Sequence, residues 1–186
     1  MSGNSADETR NKNKILSTIL DADGDKLLMD DRKADGLRRS AFHILSETEI
    51  EYLKNEIKII GADENAFVFN SGFKTSYSDD LNIIRIKGDV IPDTTSNSTH
   101  PRDLMSERAV LAHEYYGHYK YAPSKFEQGD WRDEFRASYM AAKKTPNLTF
   151  EDRRYLILDA LERAREAGVT IKNNNFIRRI LYGYKN

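Results

Sequence analysis

Three regimes of apolar spacing follow one another along the chain. Before residue 46 the apolar residues come in short clusters broken by charge, which predicts helices over Lys12–Leu20 and Lys33–Leu45. Ser46 opens SETEIEYLKNEI, where Ser46 and Glu49 stand at capping-box spacing and predict a helix N-terminus. The middle reads differently. IKII (57–60), AFVF (66–69) and NIIRIKGDVI (82–91) are β-branched or aromatic runs punctuated by Gly61, Gly72, Gly88 and Pro92. They predict about three strands of a small, mostly antiparallel sheet. After a polar loop over 92–101 the helical period returns, roughly over 103–121, 130–143, 150–167 and 173–183. Gly168 suits a helix end, and Pro146 or Thr149 a break before the next start. Helices, a small sheet, then helices make an α+β fold. Residues 1–8 read as a disordered lead and 9–186 as one domain.

Composition narrows the chemistry. Of 186 residues, 39% are hydrophobic and 32% charged, enough apolar content for a packed core. The 29 basic and 30 acidic side chains are interleaved, leaving a net charge of -1 and no basic patch for nucleic acid or a membrane surface. There is no cysteine, so disulfides, thiolate metal sites and cysteine nucleophiles are excluded. The opening MSGNSADETRNKNK lacks an apolar signal core, and no apolar run approaches the ~18 residues a membrane span needs. The expected location is the cytoplasm, or delivery by a signal-free secretion route. DADGDKLLMDDR places Asp21, Asp23 and Asp25 at alternate positions, as a calcium loop does. Lys26 then stands where that loop needs Gly and Arg32 where it needs a bidentate Glu, so a solvated acidic turn is expected. NST at Asn97 and NLT at Asn147 match the glycosylation pattern and carry no weight without a secretory signal.

The informative stretch is HEYYGH, His113–His118. It has the form of the H-E-x-x-H zinc signature with one residue added. Four residues apart on an ideal helix leave side chains about 40° apart, and five leave them about 140° apart. An undistorted helix would send His113 and His118 to different faces. A π-bulge across Glu114–Gly117 absorbs the extra residue and returns both imidazoles to one side. Gly117 tolerates unusual backbone angles and close approach there. AVLA directly before His113 predicts a buried helix, and burying His-Glu-x-x-x-His without a partner is costly. A metal removes that cost.

A zinc site needs a third protein ligand and one open position for catalysis. His43, in AFHIL, reads as a core or capping residue. His100, in the polar loop, is placed to steady a substrate oxygen or simply to be solvated. GDWRDEFRASYMAAKK is the better source. Asp133 and Glu134 fall early in a helix capped by Asp130, where either carboxylate completes a His, His, carboxylate set and the other is free to bond a ligand imidazole N–H. The plainer reading is two acids favouring the positive end of a helix. Asp159, in YLILDALERA, either orients a ligand histidine or marks a polar helix face, and the second reading is favoured.

HEYYGH together with DEFRAS resembles the H-E-x-x-G-H and E-E-C-R-A-E/D motifs of the dipeptidyl peptidase III zinc peptidases. The resemblance implies His113, His118 and Glu134 as zinc ligands and Glu114 as the base that activates water, within a gluzincin-like fold. It covers about residues 113–138. Asp133 replaces the first Glu, Phe135 the Cys and Ser138 the final acid, so dipeptide-releasing specificity does not follow. The compact layout is similar to small zinc-peptidase domains of bacterial toxin and phage-associated proteins, with an inhibitor or immunity protein as a candidate partner.

The expected function is zinc-dependent hydrolysis of a peptide or protein substrate. Zn2+ acidifies a water toward a pKa of about 7, and Glu114 takes its proton and passes it to the leaving amine. Tyr115, Tyr116, Arg136, His100 and Tyr139 are candidate oxyanion donors, with Tyr139 preferred. The strand Ile83–Lys87 is expected to form the cleft edge and bind substrate by strand addition. Two other readings remain: a metal-stabilised binding or regulatory module without turnover, and a metal-free helical interaction surface.

Overall fold

The structure, a computed structural model, describes residues 39–183. The first predicted helix, the acidic turn and the lead lie outside the described residues. Of Lys33–Leu45, the described part is a series of bends, not a helix. Ala41 and Leu45 are buried, but the Leu45 backbone bonds the Asn70 side chain, its N–H to Oδ1 at 2.8 Å and its carbonyl to Nδ2 at 3.1 Å. A side chain distant in sequence thus satisfies backbone groups that a helix would have used internally. His43 is exposed and bonds Glu49, the carboxylate of the following cap, at 2.9 Å. It supports the cap and not the core.

Helix α1 spans Glu47–Ile59, and its Ser46–Glu49 capping box forms as the sequence predicts. The helix runs through most of the stretch expected to be the first strand. Leu53, Ile57 and Ile60 are buried at i, i+4 and i+7, so the helical stripe outweighs the β-branched composition of IKII. Strands β1 (Phe67–Phe69), β2 (Ser76–Ser78) and β3 (Ile83–Ile86) form a sheet in the order β1-β3-β2. The sheet is mixed, not mostly antiparallel: β1 runs parallel to β3 and β2 antiparallel to it. The chain lays down β2 on the far side before β3 enters between the two. This placement also corrects the expected cleft edge. β3 is the central strand, with both sides paired, so strand addition there is impossible. The edge nearest the helices is β2.

Five further helices follow: α2 (Pro101–Leu104), α3 (Glu107–Ala112), α4 (Trp131–Lys144), α5 (Phe150–Glu166) and α6 (Asn175–Tyr182). Their caps come from His100, Ser106, Asp130, Thr149 and Asn174, each accepting a backbone N–H of the first turn. The fold is α+β, and among the described residues no helix is long and apolar enough to cross a membrane.

The α3 axis continues into a π-helical turn, His113–His118, where the Tyr119 N–H bonds the Glu114 carbonyl five residues back. This turn packs between α4 and β2, and α4 packs on α5. Gly117 makes the first of these contacts possible. A Cβ built there would lie 2.7 Å from the Ala137 carbonyl oxygen and 2.8 Å from its Cβ. The close approach is against backbone, which has no rotamer by which to retreat. Gly117→Ala is therefore expected to lose about 1–3 kcal/mol in chemical denaturation, the usual cost of overpacking. An unchanged midpoint would show that the two segments separate freely.

Candidate metal site and its surroundings

The π turn does what the spacing requires. His113 and His118 are both buried and their Nε2 atoms lie 3.3 Å apart. Glu134, one turn into α4, brings Oε2 to 3.1 Å from His113 Nε2 and Oε1 to 3.5 Å from His118 Nε2. Ligands at about 2.0–2.1 Å around a tetrahedral ion are separated by about 3.3–3.4 Å. The two nitrogens stand at that spacing and the Glu134 carboxylate faces each of them through a different oxygen, so the group could hold a metal ion.

Each ligand is held from behind. Asp133 Oδ2 lies 3.5 Å from His118 Nδ1, and the Tyr77 ring stacks on the His118 ring, 5° from parallel. Asp133 thus takes the supporting place the sequence offered to the second acid, and Arg136 holds it at 3.0 Å. For His113 the support is a relay. Ser138 Oγ lies 2.8 Å from His113 Nδ1 and donates to Asp159 Oδ2 at 2.6 Å.

Asp159 is fully buried, and burial alone would raise its pKa. Arg163 and Arg102, each at 2.9 Å, outweigh that and hold it well below the usual carboxylate range. An ionised Asp159 can only accept, so Ser138 must donate to it and must accept from His113 Nδ1–H. The lone pair of His113 is then on Nε2, facing Glu134. Asp159 is buried and positions His113 through Ser138, correcting the favoured reading of it as a polar-face residue. Arg163 also reaches Glu134 Oε2 at 3.2 Å.

Glu114 is buried and lines the cavity beside the three donors, a space of about 220 Å³. Burial raises its pKa, while His113 and His118 draw it part of the way back. Burial lowers that of His118, but Glu134, Glu114 and Asp133 together raise it above the ordinary value. Glu134 shows the reverse balance: Arg163 and His118 overcome its burial and hold it well below the normal range.

Tyr139 does not join the site. Its ring packs on Phe135 and Phe176, and its hydroxyl accepts from Asn174 at 3.0 Å. It lies five residues beyond Glu134 on an undistorted helix, about 140° around, whereas Ser138 at four shares the Glu134 face. Tyr116 donates to the Ile60 carbonyl at 2.6 Å, and Tyr115 stacks on Phe67 and Tyr119. His100 caps α2 and bonds Glu166 at 2.9 Å. None of these residues, nor Arg136, lines the cavity that holds Glu114.

His100, Glu162 and Glu166 form a second acidic group with metal-like spacing. The cap settles its chemistry. His100 Nδ1 accepts from the Arg102 N–H, so Nε2 carries the ring proton and cannot also donate a lone pair.

Sequence reasoning missed Arg102, Arg163, Tyr77 and Gln128. Only Arg163 left a signal, four residues after Asp159 and so on the same helix face. Comparison with known proteins gives no match, whether to a protein-family model, a curated protein or a solved structure.

Breaking the relay has a predictable effect. Ser138→Ala is expected to weaken zinc affinity by roughly 10–100-fold, the usual effect of losing a ligand's supporting partner. Tyr139→Phe is expected to leave it unchanged. Competition with a chromophoric chelator measures both, and equal affinities would remove Ser138 from this role.

Proposed function

We propose that the protein is a zinc-dependent peptidase of gluzincin-like design, with His113, His118 and Glu134 as ligands and Glu114 as general base. The observation that carries this reading is the convergence of two imidazole nitrogens and a carboxylate on one point beside a second, buried carboxylate, in a cavity bordered by β2. Zinc bound there supplies a Lewis acid that polarises a carbonyl and lowers the pKa of water to about 7.

The chain's own residues do the rest. Glu114, its pKa raised by burial, accepts a proton from the attacking water. As the C–N bond breaks, the water oxygen remains on the carbonyl carbon and Glu114 returns the proton to the leaving amine. Arg163 is already paired with Glu134 and Asp159, and it fixes the Glu134 carboxylate while contributing positive charge to the cavity wall. Among the described residues β2 is an edge strand of the sheet, and it lies along that wall, which suits an extended peptide. A closed structural zinc site takes a fourth protein ligand. Among the described residues this group has three, which favours turnover over a purely structural metal.

Glu114→Gln is expected to retain zinc at near wild-type affinity and to lose peptide hydrolysis by at least about a hundredfold, the lower range for removing a general base. Hydrolysis persisting in that variant would take Glu114 out of the mechanism. Zinc at a hundred times its Kd is expected to stabilise the wild type by about 2.7 kcal/mol. His113→Ala is expected to abolish that gain in thermal denaturation. A metal-free interaction module would show no gain in either protein.

A further inference from the structure

The site cavity has a neighbour. A second cavity, about 350 Å³, is bordered by Asp79, Phe126, Asp133 and Arg136, and it shares Tyr77, His118 and Gln128 with the first. β2 runs past both: Lys74–Tyr77 borders the first cavity, and Tyr77 and Asp79 the second. A ligand histidine therefore stands where the two meet, with cleft on either side of it.

The Gln128 side chain lies at their shared border. Gln128 Nε2 donates to the Tyr77 carbonyl. Along an antiparallel edge strand, alternate residues turn their backbone groups outward. Tyr77 turns its carbonyl away from β3 and toward Gln128, so the Gln128 amide takes the bond that an added strand would make. Gln128 is presented by a tight turn in which the Asp130 N–H bonds the Glu127 carbonyl at 3.1 Å and Gly129 adopts φ +83°. That turn ends at the N-cap of α4, the helix carrying Asp133 and Glu134.

We infer that Gln128 stands in for a substrate backbone amide on β2, and that the substrate is an internal stretch of an extended polypeptide which displaces it and occupies both cavities. The inference rests on the peptidase reading and deepens it. Cleft continues on both sides of His118, so neither chain terminus has to lie at the scissile bond. The enzyme is an endopeptidase for unfolded or extended segments. Gln128 competes with substrate for one hydrogen bond, and its removal strengthens binding without touching the metal.

The test uses fluorescein-labelled, N-acetylated β-casein, an unfolded chain. Binding is read by fluorescence anisotropy in the zinc-loaded Glu114→Gln background, with and without Gln128→Ala. Losing a competing hydrogen bond is expected to tighten Kd about three- to tenfold while zinc affinity stays the same. Equal or weaker binding in Gln128→Ala overturns the inference. In parallel, the wild-type enzyme is given a ten-residue peptide free at both ends and the same peptide acetylated and amidated, with products mapped by mass spectrometry. Internal cleavage of both forms at similar kcat/KM is expected. Cleavage of the free form alone overturns the endopeptidase assignment and leaves the peptidase reading standing. Casein binding tightened by Gln128→Ala, without cleavage of either peptide by the wild type, overturns the peptidase reading and the endopeptidase assignment with it, leaving Gln128's place on the β2 edge intact.

Discussion

One constraint organises the molecule: two histidines five residues apart must face the same point. An α-helix separates them by about 140°, and the π turn at His113–His118 removes that separation by taking one more residue into the turn. The local distortion has to be held by tertiary contacts. α4 supplies them by pressing on Gly117 through Ala137 and by presenting Glu134 and Ser138 to the same ring of His113. The helix that braces the distorted turn therefore also supplies Glu134, the third member of the group that could hold a metal ion.

The second consequence is electrostatic. His113, Glu114, His118, Asp133, Asp159, Arg102 and Arg163 are all buried in or directly behind the wall of one cavity. Burying ionised groups carries a desolvation cost of several kcal/mol each, recovered only with close partners and good geometry. Two arginines on one carboxylate, and that carboxylate on a serine, recover it for Asp159. They also fix the tautomer of His113 and leave its Nε2 lone pair directed at the metal position. The Ser138 hydroxyl reaches an acid on the next helix, so α5 becomes part of the site. For the Glu114 carboxylate, burial prevails and raises its pKa, the opposite outcome to that of Asp159.

Much of this was legible in the residues themselves, and the exceptions have physical causes. The distorted turn follows from the i, i+5 spacing and from Gly117. Glu134 and Asp133 were placed because both fall in the first turn of a helix that Asp130 caps. The misassigned strand at IKII fails because composition competed with period: Leu53, Ile57 and Ile60 form a helical stripe whatever their β-propensity. β2 is three residues with one aromatic between two serines, too short to show an alternation. Tyr139 stands a little over a turn beyond Glu134, but five residues on a helix carry it about 140° around, whereas Ser138 at four shares the Glu134 face. Arg102 and Gln128 act across distances in sequence that no local pattern encodes.

The most direct measurement of the central claim is anomalous diffraction at the zinc absorption edge from crystals of the zinc-loaded protein. One strong peak is expected about 2.0–2.2 Å from Nε2 of His113, Nε2 of His118 and the carboxylate of Glu134, with the His113–His118 turn still π-helical. A zinc peak elsewhere, or a regular α-helical turn with the two imidazoles on opposite faces, would contradict it.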